Sequence, residues 1–73
     1  MTNTELLFEA IQAKGYKKQY VAQSLGISRN SFYKKAKNLI PFSTKEIMHL
    51  CKLLDISSLT QKEHIFFADK VDY

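Results

Sequence analysis

Between Ala10 and Lys45 the chain carries eight Lys or Arg side chains and not one Asp or Glu. Cationic groups at that density, with no carboxylate among them, have one chemistry open to them: they neutralise a polyanion. The rest of the chain holds three basic and seven acidic residues, so the formal net charge of +4 divides into +8 on this stretch and −4 elsewhere. The other reactive side chains form no comparable set. His49 and His64 stand apart, with no Cys or acidic residue at metal-ligand spacing, and are expected to be structural. Cys51 is alone, which excludes an internal disulfide, and reads as a reduced, half-buried apolar residue. There is no Ser/His/Asp or Cys/His set and no glycine-rich phosphate loop. A bundle this small offers no substrate pocket, so an enzyme is not expected, and no catalytic residue, metal, cofactor or small-molecule substrate is assigned.

The elements that must position the basic stretch are helical throughout. Three S/T-x-x-E signals, Thr2 with Glu5, Ser43 with Glu46 and Thr60 with Glu63, each fit a capping box, in which hydroxyl and carboxylate satisfy backbone donors reciprocally. The second is the fullest, because Pro41 breaks the chain before it and Phe42 and Ile47 are spaced as a hydrophobic staple. These signals predict a first helix over Thr4–Lys14, ended by Gly15, and a second over Lys17–Leu25. A third is expected over Ser28–Lys37, a fourth over Thr44–Leu54 and a short fifth over Gln61–Phe67. Apolar residues recur at helical spacing: Leu7, Ala10 and Ile11, then Val21, Ala22 and Leu25, then Phe32 and Ala36, then Ile47, Leu50, Cys51 and Leu54. Ile27 and Ile56 follow two of these helices and are expected to plug the base of the bundle. No strand-length segment alternates at period two, so the fold class is all-α, a compact five-helix orthogonal bundle.

With 73 residues and 45% apolar content, the chain is expected to form one domain over residues 1–73 around one core. No run of about 18 apolar residues is present and the N-terminus lacks the features of a secretory signal, so the expectation is a cytoplasmic protein with no membrane partner.

The second and third helices form the unit that carries the charge. Where two short helices cross, the contact needs a small residue, and Ala22 supplies it; four residues on, the turn needs a backbone that takes positive φ, and Gly26 supplies that. Ile27 and Phe32 are expected to anchor both helices, and Ser28 to cap the third, whose N-terminus presents donors and positive partial charge. Ala-x-x-x-Gly alone also fits a plain helical hairpin. Combined with the apolar spacing, the acid-free surround and the capped fourth helix, it reads as a helix-turn-helix that meets DNA.

From Leu7 to the closing Phe66-Phe67-Ala68-Asp69-Lys70-Val71, the chain resembles the small phage-type regulators of the Cro and lysogenic-repressor superfamily. Gly26-Ile27-Ser28-Arg29-Asn30-Ser31-Phe32-Tyr33-Lys34-Lys35 and Pro41-Phe42-Ser43-Thr44-Lys45-Glu46-Ile47 are similar to short lytic-side regulators of temperate phages of Gram-positive bacteria. The resemblance implies a lambda-repressor-like bundle. Many relatives carry an apolar residue where Lys35 stands and a glycine soon after the third helix; here Ala36 is expected to take the inward position and Asn38 the left-handed turn. It also implies that Ser28, Arg29, Asn30, Tyr33 and Lys34 face the major groove. Arg29 is suited to a bidentate contact with guanine and Asn30 to one with adenine. Lys17, Lys18, Gln19, Ser31, Lys35 and Lys37 are then expected on phosphates, supplying register and affinity without sequence information.

Aromatic residues remain. Phe8 and Tyr20 fall off the apolar faces, and Phe66, Phe67, Val71 and Tyr73 crowd the acidic C-terminus. They complete a small core, or they form a protein–protein surface. A lone helix-turn-helix buries little DNA, so a partner is expected, either a second copy or the phage's lysogenic repressor. Two functions stay open: a Cro-like transcription regulator binding operator DNA in the host cytoplasm, and a modulator of repression acting mainly by binding the lysogenic repressor.

Overall fold

Among the described residues, four of the five α-helices begin on a side-chain cap, Lys17 before the second making none, and four end on a left-handed residue. In the computed structural model, which describes residues 1–70, the order is α1 (Thr4–Ala13), α2 (Lys18–Ser24), α3 (Arg29–Ala36), α4 (Thr44–Leu53), α5 (Leu59–Phe66) and a closing 3-10 turn (Ala68–Lys70). No strand occurs among the described residues, and the fold is the all-α helix-turn-helix arrangement read from the sequence.

Ser28 caps α3, its Oγ accepting from the Ser31 N–H at 3.1 Å. Ser43 and Glu46 close the full capping box on α4. The other two expected boxes do not form. The cap of α1 is Asn3, which accepts from the Leu6 N–H, and that of α5 is Ser58, which accepts from the Gln61 N–H. Both are good capping residues: Asn3 lies one place after Thr2 and Ser58 two places before Thr60, so α5 starts at Leu59 rather than Gln61. Thr2 is buried instead, and the Thr4 hydroxyl donates to the Ala36 carbonyl at 2.5 Å.

Four helices stop in the same way. The residue after each C-cap takes a left-handed backbone: Gly15 (φ 75°), Gly26 (φ 74°), Asn38 (φ 67°) and Asp55 (φ 56°). In each case the next N–H reaches back five residues, as from Tyr16 to Ile11, Ile27 to Ala22, Leu39 to Lys34 and Ile56 to Cys51, which is the Schellman arrangement. Asn38 does more than turn the chain. Its side-chain amide pairs with the Thr2 backbone, accepting from the N–H at 2.8 Å and donating to the carbonyl at 2.9 Å. Asn3 N–H donates to the Ile65 carbonyl, and Ala68 N–H to the Met1 carbonyl. The N-terminal arm thus ties the end of α3 to the end of α5.

The core takes Leu7 and Ile11 from α1, Val21 and Ala22 from α2, Phe32 and Ala36 from α3, Ile47 and Leu50 from α4, Leu54 and Ile56 beyond it, and Ile65 and Phe66 from α5. Ala36 is fully buried, taking the inward position expected of it. Ala10, Leu25, Ile27 and Cys51, expected on the inner faces, lie half-buried at the edge of this cluster. Burial of its thiol pushes the Cys51 pKa up, only partly offset by the Lys62 charge.

Candidate nucleic-acid interface

The buried pair Phe32 and Ala36 fixes how α3 is rotated, because residues four apart share a helix face. With those two inward, Ser28, Arg29, Asn30, Lys34 and Lys37 are exposed, and Ser31, Tyr33 and Lys35 are half-buried. Ala22, only 1% exposed, lets α2 lie closely against α3, with Gly26 turning the chain between them.

Across that contact a groove of about 440 Å³ brings together Lys17, Lys18 and Gln19 from the start of α2 with Arg29 and Tyr33 from α3. Phe8, Ile11, Gln12 and Tyr16 form the rest of its wall, and no acidic residue lines it. Lys18 and Arg29 of its wall, and Lys37 outside it, gather on aromatic faces. Lys18 Nζ stands 4.1 Å from the centre of the Phe8 ring and 5.9 Å from that of Tyr33. Arg29 lies 5.4 Å, and Lys37 6.0 Å, from the Tyr33 ring centre. Such contacts fix long side chains while leaving their charge in water. A side-chain hydrogen bond with Arg29, joined by the charges of Lys18 and Lys37, holds the Tyr33 phenol below its ordinary value of 10.0 despite partial burial. Ser31 Oγ accepts from the Ser28 hydroxyl at 3.0 Å, so these two are bound to each other at the mouth of α3.

Lys35, expected on a phosphate, is engaged elsewhere. Its ammonium donates to both carboxylate oxygens of Glu46 at 2.8 and 2.7 Å, with the two side chains only 18% and 13% exposed. The acid-free segment is therefore not free of acidic partners: Glu46 lies one residue beyond it and returns through the α3–α4 loop. Lys14 is likewise paired, with Asp55.

Among the described residues, the aromatic side chains expected in the core or at an interface lie in different settings. Phe8 belongs to the basic groove, Tyr20 lies 49% exposed against Tyr16 at a ring distance of 5.0 Å, and Phe66 is core at 3% exposure. Phe66 meets Phe42 edge-on at 6.2 Å, and Phe42 lies 6.2 Å from Phe32, so an aromatic row runs through the bundle. Phe67 is half-buried against the core. Val71 and Tyr73 lie outside the described residues. His49 shares a hydrogen bond with Ser24 at 2.6 Å.

Sequence reasoning passed over Tyr16 and did not foresee that Phe8, packed against the core, also walls the basic groove. Contact between Phe8, Lys18 and Tyr33 joins three helices, and no spacing within one helix signals it.

An all-α bundle that lays a bare, basic α3 beside a lysine-lined α2 is built as a DNA-binding helix-turn-helix domain. Residues 7–59 match the family model of the Cro/C1-type HTH DNA-binding domain, and the chain belongs to that family, which serves in transcription regulation by binding double-stranded DNA. No curated protein and no solved structure matches the chain significantly. No helix among the described residues is long and apolar enough to cross a membrane.

Proposed function

We propose that the protein is a Cro-like transcription regulator of a temperate phage, which binds operator DNA in the host cytoplasm by laying α3 in the major groove. In this reading Ser28, Arg29, Asn30, Tyr33 and Lys34 meet base edges, while Lys17, Lys18, Gln19, Ser31 and Lys37 meet phosphates. The observation that carries it is the shared groove, where the α2 lysines and the α3 residues Arg29 and Tyr33 form one acid-free concave face. Lys35 is left out of the phosphate set because Glu46 holds it.

The test is a mobility-shift measurement on duplexes selected from a random-sequence pool. Arg29→Ala and Asn30→Ala are each expected to cost about 1–3 kcal/mol of discrimination at a particular base pair, with the thermal melt unchanged. Wild-type protein that selects no sequence, or variants that discriminate as well as wild type, would refute operator reading through α3.

A second reading, a modulator that binds the lysogenic repressor, draws on exposed apolar side chains away from α3. Met48 (59% exposed) and Leu59 (68% exposed) line one groove between α4 and α5, with Lys45, Lys52 and Lys62 also lining it. Such a face suits a protein partner better than a phosphate backbone. Repeating the mobility shift with the co-encoded repressor present separates the two readings: a modulator changes the repressor's retardation at concentrations where it binds no DNA itself.

A further inference from the structure

Arg29 is an exposed side chain whose use as a base reader depends on where its guanidinium waits. One turn along α3, Tyr33 lies beneath it, with the guanidinium carbon 5.4 Å from the ring centre. Tyr33 is itself held from the side. The Phe8 ring of α1 meets it edge-on, with centroids 6.1 Å apart and planes at 78°, and Phe32 meets it at 6.3 Å. Phe8 follows the fully buried Leu7 and precedes the buried Ile11, so the core fixes the helix that carries it. Phe8 packs against the core as well, and its ring face meets the Lys18 ammonium at 4.1 Å.

From this stack we infer that Phe8 is a positioning residue for base readout: through the Tyr33 ring it holds Arg29 in its reading geometry, and through its own face it holds Lys18 at the groove wall. The role assigned to Phe8 rests on the operator-binding reading of α3. Touching no base, Phe8 contributes by removing alternatives. A rotamer-rich Arg that finds its stacking face in place loses less freedom on meeting a base pair. Without the Phe8 edge, Tyr33 turns about χ1 and Arg29 loses its platform, so discrimination falls at the Arg29 base pair over and above any uniform loss through Lys18. Tyr33 carries the same logic to Lys37, whose ammonium lies 6.0 Å from the ring centre.

Phe8→Leu, which keeps an apolar side chain of similar volume, tests the inference on duplexes selected by wild-type protein and on every single-base variant of them. The expected result is about a fivefold or greater loss of discrimination at the base pair that Arg29→Ala identifies, with discrimination at the Asn30 pair retained. The double variant Phe8→Leu/Arg29→Ala should discriminate no worse there than Arg29→Ala alone, since both changes act through one contact. In the free protein, NMR titration of tyrosine ring carbons should show the Tyr33 phenol of Phe8→Leu moving up toward its ordinary value as Arg29 departs. Equal weakening on all sequences with discrimination intact, or additive effects in the double variant, overturns the inference while operator reading stands. Wild-type protein that selects no sequence overturns both. If Phe8→Leu fails to fold by circular dichroism, Phe8→Met removes the ring with a more adaptable side chain and is read in the same way.

Discussion

Lys35 and Glu46 show how one side chain can leave the binding face and join the scaffold. On α3 Lys35 looks like any other cation of the basic stretch, but its ammonium spans both oxygens of a carboxylate that also accepts from the Ser43 N–H. Burial alone would push the Glu46 carboxyl up, yet Lys35 and Ser43 hold it below its ordinary value of 4.5. A carboxyl depressed on folding contributes stability that is complete above its unfolded value and disappears as pH falls through its folded one. Urea unfolding between about pH 3 and pH 6 should therefore show a stability loss on acidification that is smaller in Glu46→Gln than in wild type. Lys35→Met, which strands a half-buried carboxylate, should cost about 1–3 kcal/mol near neutral pH. An unchanged acid limb in Glu46→Gln would mean that the pair contributes nothing on balance.

Among the elements, α3 is held by what starts and stops it. Ser28 caps it, and Gly26 and Asn38 turn the chain on either side in left-handed conformations. A Cβ built at Gly26 meets nothing within 4 Å, so Gly26→Ala carries only the backbone penalty of positive φ, about 1–2 kcal/mol. Chemical denaturation should show that loss with operator preference retained in the folded fraction; a change under about 0.5 kcal/mol would mean that the turn tolerates a right-handed residue. The features legible in the sequence were those whose physics is complete within a few residues. The Ser43–Glu46 box, the Ser28 cap, the Gly26 turn and the inward Ala36 all fall in this class. Thr2 and Thr60 misled because S/T-x-x-E matches them equally well, whereas Asn3 and Ser58, also good capping residues, are the ones that accept from the helix N–H groups. Asp55 turning the end of α4 was missed for a similar reason: an aspartate, unlike a glycine, does not announce a left-handed backbone, and this one also pairs with Lys14.

At the scale of the molecule, the charge asymmetry was visible in the sequence but its internal pairing was not. Which lysines stay available depends on carboxylates that return through loops, as Glu46 does to Lys35 across eleven positions. The candidate groove was legible in its α2 and α3 residues, whereas its aromatic wall from α1 was not, since Phe8 reaches Tyr33 only once three helices pack. Sorting the cations into free and paired gives the whole-molecule prediction. The logarithm of the affinity for duplex DNA should fall linearly with that of the salt concentration, with a slope of about −0.9 per phosphate neutralised. Lys18→Ala and Lys37→Ala should each flatten that slope by about 0.9, on operator and random sequences alike. Lys35→Ala should leave it unchanged and lower the melting temperature instead. The most direct test of the central claim is thus the salt slope of wild type beside these three variants. Two flattened slopes and one intact slope are the predicted result; no binding at low salt, or a slope that Lys35→Ala flattens while Lys18→Ala and Lys37→Ala leave it alone, would contradict it.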